Sequence, residues 1–265
     1  MSLCLRDGFE RAKRERRVAF VPYLMAGDPD LATTQILIDA LSSAGADIIE
    51  LGVPYSDPLA DGPSIASAGA RALAAGTRLA DVLALAARCS SRCAPLLLFT
   101  YFNLVDRFGV ARFAREAAAA GTAGAIVPDV ALEESEELRD ALRAQSLAMP
   151  LLVAPSTPRE RAARIAAASS GFVYVVSRLG VTGASVAPKL DALKVQLGML
   201  RELTREPLAV GFGLHRATDV RDVAPFADGV VVGSALVDAY AGSRGAEAAR
   251  RVTEFVAPLI AAASA

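Results

Sequence analysis

Cysteine is scarce in this chain of 265 residues: only Cys4, Cys89 and Cys93 occur. So odd and sparse a set excludes a disulfide framework and points to a reducing, cytoplasmic setting. Cys89 and Cys93 stand four apart, at a spacing that shares one helix face. No histidine or further cysteine completes a ligand set around them, so they read as packing residues and no metal is expected. Histidine is rarer still. His215 alone, without a conventional partner in sequence, reads as a surface or cap residue rather than a catalytic base. An excess of either charge is also missing. Lys+Arg 28 against Asp+Glu 29 leaves a net charge of -1, which gives no reason to expect nucleic acid or an anionic membrane as partner. The basic run RAKRERR at 11–17 has no interleaved aromatics and reads as a solvated helix face. The longest uncharged apolar run, CAPLLLFTYFNLV at 93–105, is shorter than the ~18 residues a membrane span requires. The N-terminal MSLCLRDGFERAKRERRVAF lacks the apolar stretch of an export signal.

What is present is core material, with 53% hydrophobic residues drawn largely from alanine-rich helices and valine and leucine runs. Eight short, nearly continuous apolar runs read as strands: 18–24, 47–53, 96–101, 123–128, 150–155, 172–177, 207–212 and 228–233. Helical stretches lie between them, among them LATTQILIDALSSAG, VARFAREAAAAG and EESEELRDALRAQ, with apolar residues near 3.6 spacing and glycine at several ends. Buried strands that each lead into a helix pair in parallel, and eight such units close more readily into a barrel than into an open sheet. The expectation is a (β/α)8 barrel with an extra N-terminal helix, forming a single domain over 1–265. An open doubly wound sheet is the alternative. Against it, no GxGxxG follows the first strand and no GxxxxGK[ST] occurs anywhere.

In such a barrel the reacting groups sit at the C-terminal ends of the strands and in the loops that follow. Those stretches are polar or glycine-rich here: MAGDPD, PYSDPLADGPS, NLVDRFG, PDVALEES, SRLGVTGAS, GFGLHR and GSALVD. The second and fifth of these exceed what a simple turn needs, as binding loops and lids do. The sharpest anomaly is Glu50, a carboxylate inside the apolar strand DIIELGV. Alternation places it with Ile48, opposite Ile49 and Leu51. Facing inward, its ionised form would be disfavoured and its pKa raised toward neutrality, which suits a group that both gives and takes protons. A paired structural carboxylate is the competing reading, but no Lys or Arg lies within any of the eight strands. Asp57 and Asp61 follow in a loop stiffened by Pro54, Pro58 and Pro63; either aspartate could instead cap a helix or close an Asx-turn. Gly211 and Gly213 at the end of strand seven, and Gly233 with Ser234 at the end of strand eight, would let backbone N–H groups approach a phosphate, although glycine there also serves tight turns.

The segments FVPYLMAGDPD, ELGVPYSDPLADGP, SRLGVTGA, VGFG and VVGSALV, in that order over about 18–240, closely resemble the tryptophan synthase alpha chain family. The resemblance implies a (β/α)8 lyase that cleaves indole-3-glycerol phosphate to indole and glyceraldehyde 3-phosphate. It places the general acid/base on Glu50 and the carboxylate for the indole N–H on Asp61. Ring-binding and positioning residues fall on Tyr23, Ile65, Phe99, Tyr101, Ile126, Asp129, Tyr174 and Phe212, with Thr182 in a closing loop. Phosphate contacts fall on Gly183, Gly211, Gly213, Gly233 and Ser234. Tyr23 stands where Phe is usual, Phe99 and Phe102 replace smaller or aliphatic residues, and Leu179 stands where Ala is frequent. The resemblance further implies no cofactor in this chain and a beta-chain partner carrying pyridoxal phosphate, in an alpha2beta2 heterotetramer, with Pro54 and Asp57 facing that partner. Two other readings are a stand-alone lyase that releases free indole and a non-catalytic regulatory subunit. Retention of Glu50 and Asp61 argues against the second.

Overall fold

The computed structural model describes residues 5–176, 190–211 and 213–264. Its strands are β1 Ala19–Met25, β2 Ile49–Gly52, β3 Leu96–Phe99, β4 Gly124–Ile126, β5 Leu151–Val153, β6 Val173–Val176, β7 Leu208–Gly211 and β8 Gly229–Val232. All are paired in parallel, in the order β4-β3-β2-β1-β8-β7-β6-β5. The two outer strands meet through Ala148, just ahead of β5. Its N–H donates to the Ala123 carbonyl at 3.0 Å, and its carbonyl accepts from the Ala125 N–H at 3.0 Å. Gly124 makes that seam possible. At φ +155 a Cβ there would stand 2.1 Å from the Ala148 oxygen. The sheet thus closes into the expected barrel.

The helices are α1 Leu5–Arg14, α2 Leu31–Ala44, α3 Pro63–Ala74, α4 Leu79–Cys89, α5 Phe102–Phe108, α6 Val110–Ala119, α7 Glu136–Ala144, α8 Arg159–Ala168, α9 Leu190–Leu203, α10 Ala217–Val223, α11 Ser234–Tyr240 and α12 Gly245–Ala262. Local chemistry sets their ends. Asp30 caps α2 by accepting from the Thr33 N–H at 2.6 Å, and Gly45 closes it in the left-handed region at φ 106. Pro63 occupies the first turn of α3, where a missing N–H costs nothing. No helix among the described residues is long and apolar enough to cross a membrane.

Three expectations need correction. The segment NLVDRFG after the third strand is not a loop but most of α5, nucleated where both Asp129 carboxylate oxygens accept from the Phe102 N–H at 3.0 and 3.2 Å. β1 runs one residue past its expected C-terminal end, whereas β2, β3, β4, β5 and β8 stop one or two residues short, because residues such as Tyr101, Pro128 and Pro155 already leave the ladder toward the loops. The basic run at 11–17 is only partly a solvated face. Arg11 donates through Nε and Nη2, and Arg17 through both Nη atoms, to the carboxylate of Asp47, which is 0% exposed. This clamp, with Phe9 packed on Phe172 at 5.5 Å, seats α1 across the base of the barrel. Cys89 and Cys93 are buried in the core as free thiols, and desolvation is the first cause raising both, Cys93 to about 12.

Candidate active site

Glu50 sits in the second position of β2, in register with Tyr23 on β1 and Leu97 on β3. Parallel register puts these side chains on one face, and each second residue continues it: Gly52 on β2, Phe99 and then Tyr101 beyond β3. Phe99 pairs with Ile126, so that residue joins the same face. Tyr174, on β6 across the barrel, is acted on electrostatically by Glu50, which identifies the shared face as the interior. Glu50 is 1% exposed, and its Oε1 has no hydrogen-bond partner among the described residues. Desolvation alone lifts its pKa from 4.5 to about 8. Among the described residues, the competing reading of a paired structural carboxylate finds no partner at Oε1.

Asp61 comes from the loop between β2 and α3, whose position is fixed by Tyr101. The Tyr101 hydroxyl accepts from the Ala60 N–H at 3.1 Å and donates to the Asp61 carboxylate. Tyr55, from the same loop, stacks on the Tyr101 ring at 5.1 Å. Burial raises the Asp61 pKa to about 6, and the Tyr101 hydrogen bond opposes part of that rise. The two carboxyls therefore carry different charge at neutral pH: Glu50 is mostly protonated and Asp61 mostly ionised. Neither partner of Tyr101 could be read from sequence, because both contacts bridge some forty positions.

The walls of the mouth are aromatic and aliphatic. Tyr23 meets Phe99 edge to face at 5.8 Å, and Phe99, Ile126 and Ile65 are all buried. Gly233 faces Ile65 and Tyr23, to which an added Cβ would make ordinary contacts at 3.6 and 3.7 Å. Gly211 is different: a Cβ there would fall 2.3 Å from the Tyr174 hydroxyl. Ser234 begins α11, and the carbonyl of Gly213 lies 2.9 Å from Nδ1 of the exposed His215. The His215 N–H also donates to Asp219, which caps α10, so this histidine serves the turn as expected. Asp129 is exposed and engaged with Phe102 rather than pointing at Glu50. Pro54 is buried, whereas Asp57 is exposed and accepts from the Ser56 hydroxyl at 2.6 Å. Thr182, Gly183, Phe212 and Leu179 lie outside the described residues.

One ion pair near the mouth had no signal in the sequence reading. Asp28, 2% exposed in the loop after β1, takes both oxygens to Arg71 of α3, at 2.7 and 2.8 Å. It ties the helix that follows Asp61 to the loop after β1. Clefts of about 670 and 820 Å3 open beside α1 at the opposite end of the barrel, away from both carboxylates.

The sequence is similar to named proteins along nearly its whole length. It is 46% identical over 253 residues to the tryptophan synthase alpha chain of Picosynechococcus sp., covering 94% of this chain and 95% of that protein. It is 44% identical over 255 residues to that of Arabidopsis thaliana, covering 95% and 92%. The fold superposes on Mycobacterium tuberculosis tryptophan synthase with a TM-score of 0.90 at 37% identity, covering 100% of both chains. Against the alpha subunit from Legionella pneumophila the TM-score is 0.87 at 32% identity, covering 97% of each. The family model described as tryptophan synthase alpha chain matches residues 9–263, and the chain belongs to that family.

Proposed function

We propose that this chain cleaves indole-3-glycerol phosphate to indole and glyceraldehyde 3-phosphate, with Glu50 moving the protons and Asp61 holding the ring nitrogen. The observation that carries this reading is the buried Glu50 carboxyl in the barrel interior, whose Oε1 has no partner among the described residues and whose pKa burial raises to about 8, near Asp61, raised to about 6. The protonated Glu50 delivers its proton to the ring carbon that bears the side chain, and Asp61 stabilises the positive charge that develops on nitrogen. The Glu50 carboxylate then takes the proton from the adjacent side-chain hydroxyl. The O–H electrons form the aldehyde, the carbon–carbon bond breaks, its electrons restore the aromatic ring, and Glu50 is protonated again. Every step is a proton transfer or a bond shift within the substrate, so this chemistry needs no cofactor in this chain.

The phosphate is assigned to the backbone of Gly211, Gly213 and Gly233 and to Ser234. In support, Gly233 precedes α11 and Ser234 opens it, where backbone N–H groups favour an anion. Tyr23, Ile65, Phe99, Ile126 and Tyr174 form the ring-binding wall, and Tyr101 acts through Asp61. A pyridoxal-phosphate beta chain is the proposed partner, in an alpha2beta2 heterotetramer in the cytoplasm. It would dock on the loop after β2, where Asp57 is exposed and Leu59 leaves 84% of its surface in solvent. That loop carries Asp61, so docking could bias its position and raise the cleavage rate. The test is indole release by the purified chain, with and without a beta chain. Slow release that rises on addition is expected, and Asp57→Ala should lower the degree of stimulation. No release in either condition would overturn the assignment.

A further inference from the structure

Two tyrosines in the barrel are placed by the same device. Tyr23 of β1 pairs in register with Glu50, and its hydroxyl lies across β2 over Gly52, two residues further on, where a Cβ would come within 2.0 Å of it. Tyr174 of β6 pairs with Ala209 and lies across β7 over Gly211, again two residues on. In each case glycine on the neighbouring strand opens the interior face, so that a phenol can lean across one strand and toward the mouth.

For Tyr23 the consequence is chemical. Two residues along a strand is about 6.5 Å, so its hydroxyl stands above Glu50, between that carboxyl and the loop that carries Asp61. Tyr23 is 4% exposed, and its hydroxyl makes no hydrogen bond among the described residues. Asp61 and Glu50 both act on it electrostatically. The Glu50 Oε1 below it is likewise unpartnered. Phe would fill nearly the same volume without a hydroxyl, so packing alone does not call for Tyr at this position. With the Glu50 Oε1 below it, the Tyr23 hydroxyl is placed to meet a ligand that brings polar atoms between them.

We propose that the Tyr23 hydroxyl is a specificity-determining contact that donates a hydrogen bond to the substrate oxygen on the carbon attached to the ring. This inference rests on the proposed cleavage reaction and adds a second group to it. Glu50 removes the proton from that oxygen, so a donor held on its far side both orients the hydroxyl toward Glu50 and stabilises the negative charge that grows as the O–H bond breaks. A substrate lacking the hydroxyl gains nothing from Tyr23.

The test compares wild type with Tyr23→Phe, each as the full chain supplied with a beta chain. Cleavage kcat/KM should fall by roughly 5- to 20-fold, the loss of about one hydrogen bond. The inhibition constant of indole-3-propanol phosphate, which keeps ring and phosphate but lacks both chain hydroxyls, should stay within about twofold. The thermal midpoint should change little, since the variant keeps the ring and its edge-to-face contact with Phe99. An unchanged kcat/KM would overturn the inference. So would an equal loss of substrate and analogue binding, which would mean that Tyr23 only shapes the wall. A wild-type chain without turnover would overturn the reaction itself, and this inference with it, which separates that failure from one confined to Tyr23→Phe.

Discussion

Asp47 and Glu50 stand three residues apart, and both are almost fully enclosed, at 0% and 1% exposure. Yet their surroundings are opposite. Asp47, at the base, accepts from Arg11, Arg17 and the Phe20 N–H, so both its oxygens are satisfied. Glu50, one turn of the pleat nearer the mouth, has an oxygen that nothing among the described residues satisfies. A buried charge that is paired holds structure together, and a buried carboxyl that is unpaired stays protonated and ready to react. The barrel separates the two by height: its base is closed by α1 and its cations, while nearer the mouth Glu50 Oε1 has no partner among the described residues.

The largest expected effect breaks the comparison at the mouth. Glu50→Gln should reduce indole release by about 10³-fold or more, since general acid–base catalysis contributes about 10²–10⁴, while the fold is retained. Near-normal turnover in a sequence-verified variant would contradict the acid/base role. The same variant sharpens the contrast through its stability. Burial raises the Glu50 pKa from 4.5 to about 8, so the native state keeps a proton that the unfolded chain has released. Its contribution to stability therefore falls as pH rises between those values. Gln escapes that loss, so denaturant unfolding should find the variant more stable than wild type by a few kcal/mol, in order of magnitude, at pH 9, with little difference at pH 4.

At the base the outcome should reverse. Asp47→Ala removes the acceptor of two arginines and should cost about 3–5 kcal/mol in urea unfolding, with turnover per folded molecule little changed. A loss of turnover without a loss of stability would show that the base is coupled to the chemistry. A smaller effect is expected in the pH profile of kcat/KM for cleavage. Activity should rise near pH 6 as Asp61 ionises and fall near pH 8 as Glu50 loses the proton it must deliver. Asp61→Asn should erase the lower limb. Least of all, Gly233→Val should weaken competition by glycerol 3-phosphate several-fold, by setting a side chain in the way of the backbone N–H groups. Undiminished competition would place the phosphate elsewhere.

Much of this was legible along the chain. Eight apolar runs each followed by a helix specify a parallel barrel, because period and composition are local properties. Glu50 was legible for the same reason: it violates the pattern of its own strand, and no basic residue lies in any neighbouring run. The proline-stiffened loop announced itself likewise. By contrast, α5 was read as a loop because its start depends on Asp129, which comes 27 positions after Phe102. The basic run was read as solvated because Asp47, the acid that Arg17 and Arg11 clamp, lies 30 and 36 positions away from them.

The sequence by itself therefore determined the sequence of strands and helices, the inward carboxyl and the glycine-rich strand ends, all through spacing and residue type. Only the tertiary structure decided which polar groups found partners. Closure of the barrel brought Arg11 and Arg17 to Asp47, Arg71 to Asp28 and Tyr101 to Asp61, and left Glu50 and the Tyr23 hydroxyl without any among the described residues. The physical reason is that hydrophobic periodicity is written within a single element, whereas the partner of a buried polar atom is set by side chains that meet only when strands distant in sequence lie side by side.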